Sequence, residues 1–216
     1  HYESAEAAGV DPGSAPWAVP YLPIDPADVG RDYQAVIRVN SQSGKGGIAY
    51  LLQTEYGVEL PRRLQIDFAS RVQLETDDSG TEMTADQLWK LLLREYGYNG
   101  GVRRYSLEHT ADGDQLFVAI DRDGREVTAA ASASGPVEAL SKILTEQGSA
   151  VEVVSLTQHS LPRNPNSSGS ANSAVTIAEC VVNAEGRWGI AVHQSVTASA
   201  LHAVYAASTN TVMQLT

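Results

Sequence analysis

The feature that most constrains the fold is an order of three strand-like runs and one helix, which occurs twice in residues 101–216. In the first copy, VRRYSLEHT, DQLFVAID and REVTAAAS are strand-like, and the turn signals DGD and RDG separate them. The run PVEALSKILTEQG follows, with Pro136 suited to a first helical position and Gly148 to a helix end. This order predicts a βββα unit over 101–149.

The second copy repeats the order. AVEVVSLTQHS, SAVTIAECVV and GRWGIAVH are strand-like, and SVTASALHAVYAASTN is helical, with Ser195 or Thr197 as its cap. The polar insert LPRNPNSSGSANS (161–173) predicts a mobile loop inside this unit. An internal duplication indicates two sheets, each with a helix on one face, packed as pseudo-symmetric halves over 101–149 and 150–216.

The first hundred residues have a different character. Residues 1–32 hold four prolines between positions 16 and 26, which favours an extended linker arm. Residues 33–100 predict an accessory subdomain of strands and two helices, beginning with a strand at 33–39. IAYLLQTEYG fits a second strand or a short helix. The fold class is therefore α+β: small linker subdomains followed by two βββα units.

The two helices of 33–100 are predicted from spacing and caps. Apolar side chains recur about every four residues in 60–75, which is typical of an amphipathic helix, and TDDSG after it predicts a loop. The second helix spans 84–97, with Thr84 and Gln87 placed for a capping box and Gly97 placed to end the helix.

Composition excludes several classes of protein. The net charge is −11 and the basic residues are not clustered, which argues against nucleic acid and against an anionic membrane surface as partners. No apolar run reaches the roughly 18 residues of a membrane span, and the start lacks a signal-peptide pattern, so we expect a cytoplasmic protein. Cys180 is the only cysteine and fits a buried thiol in a reducing compartment. Because the chain begins at His1 without a methionine, it is expected to be part of a longer protein.

The glycine-rich stretch NSQSGKGG (40–47) invites a nucleotide-binding interpretation, and its spacing rejects it. A P-loop ending at Gly44-Lys45 would require glycine at position 39 and a hydroxyl residue at position 46, which hold Val39 and Gly46. The histidines lack metal-site spacing, and we expect His109 and His193 to be surface or hydrogen-bonded residues. The residues alone therefore indicate a binding or regulatory module, with a site at the seam between its halves.

One long segment resembles a known family. DVGRDYQAVIRVNSQSGKGG, within 19–68, is similar to the segment after the catalytic barrel in 2-isopropylmalate synthases of the actinobacterial type. SGPVEALSKILTEQGSAVEVVSLTQHS and GRWGIAVHQSVTASALHAVYAASTN resemble the first and second repeats of the regulatory domain in that family. Nearly the whole chain is covered, and the barrel with its metal-binding HxH motif is absent from it.

The resemblance implies a role in leucine biosynthesis. The family condenses acetyl-CoA with 3-methyl-2-oxobutanoate on a divalent metal held by the barrel, and its regulatory domain binds leucine as feedback inhibitor. It implies that this chain alone holds no cofactor and is inactive, that its partners are an amino-acid effector and the barrel of the same protein, and that the protein is a homodimer. By position, Tyr33 and His1 would assist the barrel of the other subunit, and Lys45 would meet an anion such as the CoA phosphates.

The same resemblance places an effector pocket and shows where this chain departs from the family. The residues expected to line the pocket are Gly135, Val137, Val153, Leu156, His159 and Ser160. The family's GNGP is ASGP here, an alanine two residues after the proline is Glu138, and a Glu-His pair is Gln158-His159. Because Glu138 puts a negative charge near the expected effector carboxylate, leucine feedback is predicted to be weak, altered or lost. Alternatives are a stand-alone amino-acid-binding module, a dimerisation scaffold, or part of a related citramalate or homocitrate synthase.

Overall fold

Three helices precede two antiparallel sheets, and each sheet is followed by a helix. The computed structural model describes residues 45–79, 82–111, 113–122, 124–161 and 173–210, which belong to one compact unit of the chain. The predicted arm, the strand at 33–39 and nearly all of the predicted 161–173 loop lie outside these residues.

The elements follow one another in the predicted order. The helical part consists of α1 (Lys45–Tyr56), α2 (Arg62–Ser79) and α3 (Ala85–Tyr96). The first unit consists of β1 (Val102–Thr110), β2 (Gly113–Arg122), β3 (Arg125–Ala133) and α4 (Pro136–Glu146). The second consists of β4 (Val151–Ser160), β5 (Ala174–Val182), β6 (Glu185–His193) and α5 (Val196–Thr209). The sheets have the strand orders β1-β2-β3 and β4-β5-β6 with antiparallel neighbours, so the predicted βββα duplication is confirmed.

Helix α1 settles one open alternative and corrects one expectation. The segment predicted as a strand or a helix is helical, and the helix begins at Lys45, so the last part of the predicted glycine-rich turn is its first turn. Burial of Ile48, Leu51 and Leu52 stabilises it despite the glycines. Gly57 ends it with a left-handed φ of 65°, and its N–H donates to the Gln53 carbonyl (2.9 Å).

Helices α2 and α3 follow their predicted patterns. The four-residue spacing of α2 buries Leu64, Phe68 and Val72 completely. The helix continues to Ser79, so the loop predicted at TDDSG is wrong: Thr76 Oγ1 donates back to the Val72 carbonyl (2.9 Å) within a further helical turn. Helix α3 has the predicted capping box, in which the Thr84 N–H donates to Gln87 Oε1 (2.9 Å).

Two hydrophobic cores meet at the second sheet. The first core joins the inner faces of both sheets to α4 and α5, with Leu116, Ile120, Leu140, Ile143 and Cys180 fully buried. Each such leucine or isoleucine contributes about 1.5–3 kcal/mol on burial. The second core packs α1, α2 and α3 against the other face of the second sheet, where the buried strand residues are Val175, Ile177 and Ile190.

An ion pair and a backbone hydrogen bond reinforce the contact between the helical part and the second sheet. Arg63 of α2 pairs with Glu179 of β5 (3.0 Å). Within the helical part, Tyr96 donates to Asp67 Oδ2 (2.6 Å). The Tyr98 N–H, just after α3, donates to the Ile190 carbonyl of β6 (2.8 Å). The helical part is therefore built directly onto the sheet of the second unit.

Candidate functional site

The predicted effector site starts at the amino end of α4. Gly135 caps the helix with extended backbone (φ −166°). Among the described residues, no side-chain hydrogen bond caps this helix end. Pro136 has no N–H, and the Ala139 N–H donates to the Gly135 carbonyl (3.0 Å). The N–H groups of Val137 and Glu138 are thus the ones left without an intrahelical acceptor. With the helix dipole, this end favours an anion.

The side chain of Glu138 already supplies that anion. Its carboxylate accepts bonds from the Ser134 N–H (3.2 Å) and from the Ser134 hydroxyl, and it pairs with Lys142 (3.0 Å). These bonds lower the pKa of the Glu138 carboxyl to about 2, mainly through the Ser134 hydroxyl and then through Lys142. The group is therefore ionised at any physiological pH. A second carboxylate at the same helix end is repelled by its negative charge.

Three predicted lining residues lie on the inner side of the second sheet, the side that α5 covers. Across the β4–β5 ladder, Val153 is opposite Cys180, Leu156 is opposite Ala178, and Ser160 is opposite Ala174. A bulge between Val153 and Ser155 brings Val153 and Leu156 to the same side. Leu156 remains 37% exposed, whereas Val153 and Val137 are half-buried against the core that joins both units.

His159 lies on the opposite face of β4. It pairs across the ladder with Val175, which belongs to the core under the helical part. Its Nε2 is buried and has no hydrogen-bond partner in the described part of the chain. The ring lines an open cavity of about 690 Å³ together with Glu59, from the segment between α1 and α2, and Arg62, the first residue of α2. The structure therefore separates His159 from Leu156 and Ser160, which the sequence had grouped with it.

Helix α5 begins differently from α4. Its cap is Ser195 rather than Thr197, and the Ser195 side chain accepts from the Ala198 N–H (3.3 Å). His193 Nδ1 accepts from the Ser195 N–H (2.9 Å), so this histidine is hydrogen-bonded as predicted. Gln158 donates to Thr176 Oγ1 (3.0 Å) and to the Val196 carbonyl (3.2 Å). Through these hydrogen bonds, Gln158 connects β4 to β5 and to the start of α5. The sequence analysis noted Gln158 only as a departure from the family.

An aromatic cluster escaped the sequence analysis. Tyr98 stacks on His202 of α5, with ring centroids 4.1 Å apart, and His202 meets His193 edge-on at 5.3 Å. The pKa of His202 is lowered by burial and then by the neighbouring His193. No local pattern signals a contact between positions so distant in sequence. The cluster links the segment after α3 to the helix of the second unit.

The described residues offer little nucleophilic or metal chemistry. Cys180 is fully buried, as predicted, and burial raises the pKa of its thiol to about 12, with a smaller effect from Glu179. Among the same residues, no group of three or more histidine, cysteine, aspartate or glutamate side chains is placed to hold a metal ion. His109, the other histidine expected to be satisfied, pairs with Asp114 (2.6 Å). Within the described helices, none is long and apolar enough to span a membrane.

Two family models match the chain. Residues 3–53 match the model described as "Alpha-isopropylmalate synthase, post-catalytic domain-like". Residues 82–212, which contain α3 and both βββα units, match the model described as "LeuA allosteric (dimerisation) domain". The chain belongs to the LeuA allosteric (dimerisation) domain family. The LeuA-type domain thus accounts for the duplicated architecture and for more than half of the chain.

The LeuA-type chain is similar to curated enzymes over nearly all its length. It is 44% identical over 203 residues to "2-isopropylmalate synthase" of Parafrankia sp. (strain EAN1pec), covering 90% of this chain and 35% of that protein. It is 43% identical over 215 residues to the enzyme of the same name from Renibacterium salmoninarum, covering 94% and 36%. The protein of that name from Pseudarthrobacter chlorophenolicus is 42% identical over 213 residues, covering 94% and 36%. The chain thus spans about a third of the length of these relatives.

The residues predicted to serve catalysis precede the LeuA-type domain. Tyr33 and Lys45 fall within the segment matched by the post-catalytic model, whereas His1 lies just before it. Tyr33 and His1 lie outside the residues that the structure describes, and so does the side chain of Lys45, whose backbone begins α1. Their roles remain predictions.

Proposed function

We propose that this chain is the accessory and allosteric part of a 2-isopropylmalate synthase. The observation that carries the proposal is the LeuA family match across both βββα units, joined to 42–44% identity with enzymes of that name over at least 90% of the chain. In this proposal, a catalytic barrel elsewhere in the protein condenses acetyl-CoA with 3-methyl-2-oxobutanoate in leucine biosynthesis, and the whole protein is a homodimer. The names of the relatives favour this substrate over those of citramalate or homocitrate synthases.

The effector would be a branched-chain amino acid bound between α4 and β4. The free N–H groups at the amino end of α4 suit the effector carboxylate. Val137 and Val153, half-buried against one core, and the partly exposed Leu156 would surround an apolar side chain. Open space adjoins Gly135 at the helix start, since no atom beyond its chain neighbours lies within 4 Å of the position where a Cβ would stand. Ser160 would contribute a polar side chain at the edge of this pocket. His159 would influence the pocket from the other face of β4.

The packing of the second sheet supports a route from this site to the catalytic part. The sheet is shared by the core that contains α4 and α5 and by the core under the helical part. A change in the position of β4 or α5 therefore acts directly on α1, α2 and α3. The Arg63–Glu179 ion pair and the Tyr98–His202 stack are the polar and aromatic links along this route.

Catalysis would be completed by residues outside this chain. The divalent metal belongs to the barrel, while Tyr33 and His1 would assist the barrel of the other subunit. Lys45 would meet the phosphates of CoA. In the full-length enzyme, Lys45→Ala is expected to raise the acetyl-CoA Michaelis constant, and an unchanged constant would contradict this role.

Glu138 points to weakened feedback as a feature of this chain. Its ionised carboxylate lies at the helix end where the effector carboxylate would bind. The same observation favours a second candidate function, a domain retained for dimerisation that no longer senses an amino acid.

Calorimetric titration of the 216-residue chain with leucine, isoleucine, valine and lysine tests the proposal. Weak binding of leucine or a close analogue supports an allosteric role with reduced affinity. If none of the four amino acids gives a heat of binding, the dimerisation scaffold is favoured. Condensation of acetyl-CoA with 3-methyl-2-oxobutanoate by this chain alone would contradict the division of roles. Finding an in-frame barrel with an HxH motif upstream of His1 would separate part of a synthase from a stand-alone binding module.

A further inference from the structure

The chain passes from α3 to β1 through a short segment, residues 97–101, that contains three glycines. Its first half is fixed on the second unit, because the Tyr98 N–H donates to the Ile190 carbonyl (2.8 Å) and the Tyr98 ring stacks on His202 (4.1 Å). The Tyr98 hydroxyl also bonds the start of β1. It accepts from the Val102 N–H (2.7 Å) and donates to the Val102 carbonyl (3.0 Å). The main chain between Tyr98 and Val102 is therefore a loop closed by a side chain.

Gly101 fixes the other half of this loop. Its carbonyl accepts from the Asp121 N–H of β2 (2.6 Å). Its φ is 120°, and a Cβ at this position would stand 2.4 Å from Cε1 of Tyr205. The Tyr205 hydroxyl in turn donates to the Asp121 carbonyl (2.5 Å). The backbone at Gly101 thus has little room to shift.

Asn99 and Gly100, between these two fixed points, are not held by side-chain or backbone bonds. Both are exposed, and in the described part of the chain neither makes a hydrogen bond. Gly100 has a φ of 94°, and no atom beyond its chain neighbours lies within 4 Å of the position of a Cβ. Both residues line an open cavity of about 540 Å³, so solvent reaches them. The Asn99 amide can therefore approach the Gly100 nitrogen without a competing bond or a side chain in the way.

An asparagine followed by glycine can react with its own backbone, and asparagine is among the chemically labile residues. The Gly100 nitrogen loses its proton to solvent base and attacks Cγ of Asn99. The new N–Cγ bond closes a five-membered succinimide, and the side-chain nitrogen leaves as ammonia. Water then opens the ring. Breaking the N–Cγ bond gives aspartate, whereas breaking the bond from the nitrogen to the main-chain carbonyl carbon gives isoaspartate, whose main chain is longer by one methylene group.

The other asparagines that the structure describes lack this arrangement. The Asn183 side chain accepts from the Ala150 N–H (3.0 Å), and the Asn210 side chain donates to the Trp188 carbonyl (3.4 Å). Each is followed by a residue with a Cβ, which hinders ring closure. Asn99 thus differs from both in its hydrogen bonding and in its neighbour.

We infer that Asn99 is a modification site that converts spontaneously to isoaspartate through a succinimide closed by the Gly100 nitrogen. The product lengthens the main chain inside a loop whose ends are bonded to each other. It therefore loosens Tyr98 and Gly101 from their partners at the junction of the helical part with the first unit. The inference is independent of the proposed effector and of the parent enzyme.

Incubation of the 216-residue chain at mildly alkaline pH and physiological temperature tests the inference. Peptide mass spectrometry should find a gain of about 1 Da at Asn99, appearing about tenfold or more faster than at Asn183 or Asn210, with isoaspartate as the main product. Asn99→Ser should show no gain in the same peptide.

Asn99→Asp is the matched control for the effect on the junction, because it carries the same charge on a main chain of normal length. Amide hydrogen exchange at Tyr98 and at Asp121 should be about threefold or more faster in the isoaspartate form than in Asn99→Asp, since these N–H groups bond to Ile190 and Gly101.

Four results would overturn the inference. No gain at Asn99 over a period in which the urea-unfolded chain converts would show that the fold protects this amide. Equal rates at Asn99, Asn183 and Asn210 would show that the structure does not select the site. Aspartate as the only product would mean direct hydrolysis without ring closure. Equal hydrogen exchange in the isoaspartate form and in Asn99→Asp would remove the loosening of the junction.

Discussion

The two βββα units have the same strand order and register, but their helices pack onto their sheets differently. In the second unit, a Cβ on Gly189 would stand 2.0 Å from the Ala203 carbonyl oxygen and 2.4 Å from the Ala207 nitrogen of α5. The equivalent position of the first unit is Ala129, which is half-buried. Helix α5 therefore approaches its sheet as closely as glycine allows, whereas α4 leaves room for a methyl group. The second unit, whose helix is packed closely on its sheet, is therefore the tight unit, and the first unit is the looser unit.

The difference in helix packing corresponds to a difference in the elements that pack around each sheet. The tight unit is packed on both faces of its sheet, by α5 on one side and by the helical part on the other. In the looser unit, no described helix covers the outer face of the sheet, which lies away from α4, and the Glu138 carboxylate lies at the helix start. Within the described residues, the second unit thus forms the contact with the helical part, and no helix packs on the outer face of the first sheet.

The largest expected effect on stability comes from disrupting the packing of α5 in the tight unit. Gly189→Ala should destabilise the fold by roughly 3 kcal/mol, because its methyl group collides with backbone atoms that cannot move away. Gly186→Ala on the same strand meets no atom within 4 Å and should cost little. Chemical denaturation of both variants measures the difference. Equal stabilities would show that α5 does not pack as closely as described.

The next effect compares the two outer faces. Ile177→Ala removes a fully buried side chain and should cost about 2–5 kcal/mol. Phe117→Ala, at the equivalent position, should cost less than about 1 kcal/mol when the unfolding of the monomer is measured, since the ring is partly solvated. Thermal unfolding at low protein concentration isolates the monomer. A Phe117 variant as unstable as the Ile177 variant would mean that the first sheet is covered too.

The helix caps should give smaller effects of opposite sign. Ser195→Ala removes the side-chain acceptor for the Ala198 N–H and should cost about 1 kcal/mol. Gly135→Ser supplies an acceptor where α4 has a glycine cap and should gain a few tenths of a kcal/mol. Urea unfolding of the pair checks both signs. A loss with Gly135→Ser would indicate that the glycine serves the backbone approach instead.

The smallest effect on folding concerns pH. The pKa of Glu138 is held at about 2, below its ordinary value of 4.5, so its bonds stabilise the fold above about pH 4.5 and this contribution is lost as the pH falls through 2. Glu138→Gln should therefore lower stability at neutral pH, and the difference from the parent chain should shrink between pH 4.5 and 2. An NMR titration of the Glu138 carboxyl giving a midpoint near 4.5 would contradict the bonds to Ser134 and Lys142.

The sequence predicted the architecture well because the duplication and the caps are local signals. The strand runs, the helix starts and the Thr84 capping box all depend on neighbouring residues. It failed where a non-local contact or an irregularity decides. Alternation along β4 does not reveal the bulge near Val154, and that bulge determines which residues share a face with Leu156. The helical turn beyond residue 75 looked like a loop because its side chains are polar.

The site was predicted in part for the same reason. The position of Glu138 three residues inside α4 follows from the sequence, and so does its charge. Its bonds to Ser134 and Lys142, which hold that charge at the helix end, required the structure. The contact of Tyr98 with His202 and the open face around Phe117 depend on how distant segments pack, which no local pattern records.

The central claim is that Glu138 stands where an effector carboxylate would bind. Its most direct test is the leucine dissociation constant of Glu138→Ala, measured by calorimetry beside Glu146→Ala, which removes the same charge from the far end of α4. We expect Glu138→Ala to bind leucine on the order of tenfold more tightly than the parent chain, equivalent to about 1.4 kcal/mol, and Glu146→Ala to bind as the parent does. Equal or weaker binding by Glu138→Ala would contradict the claim.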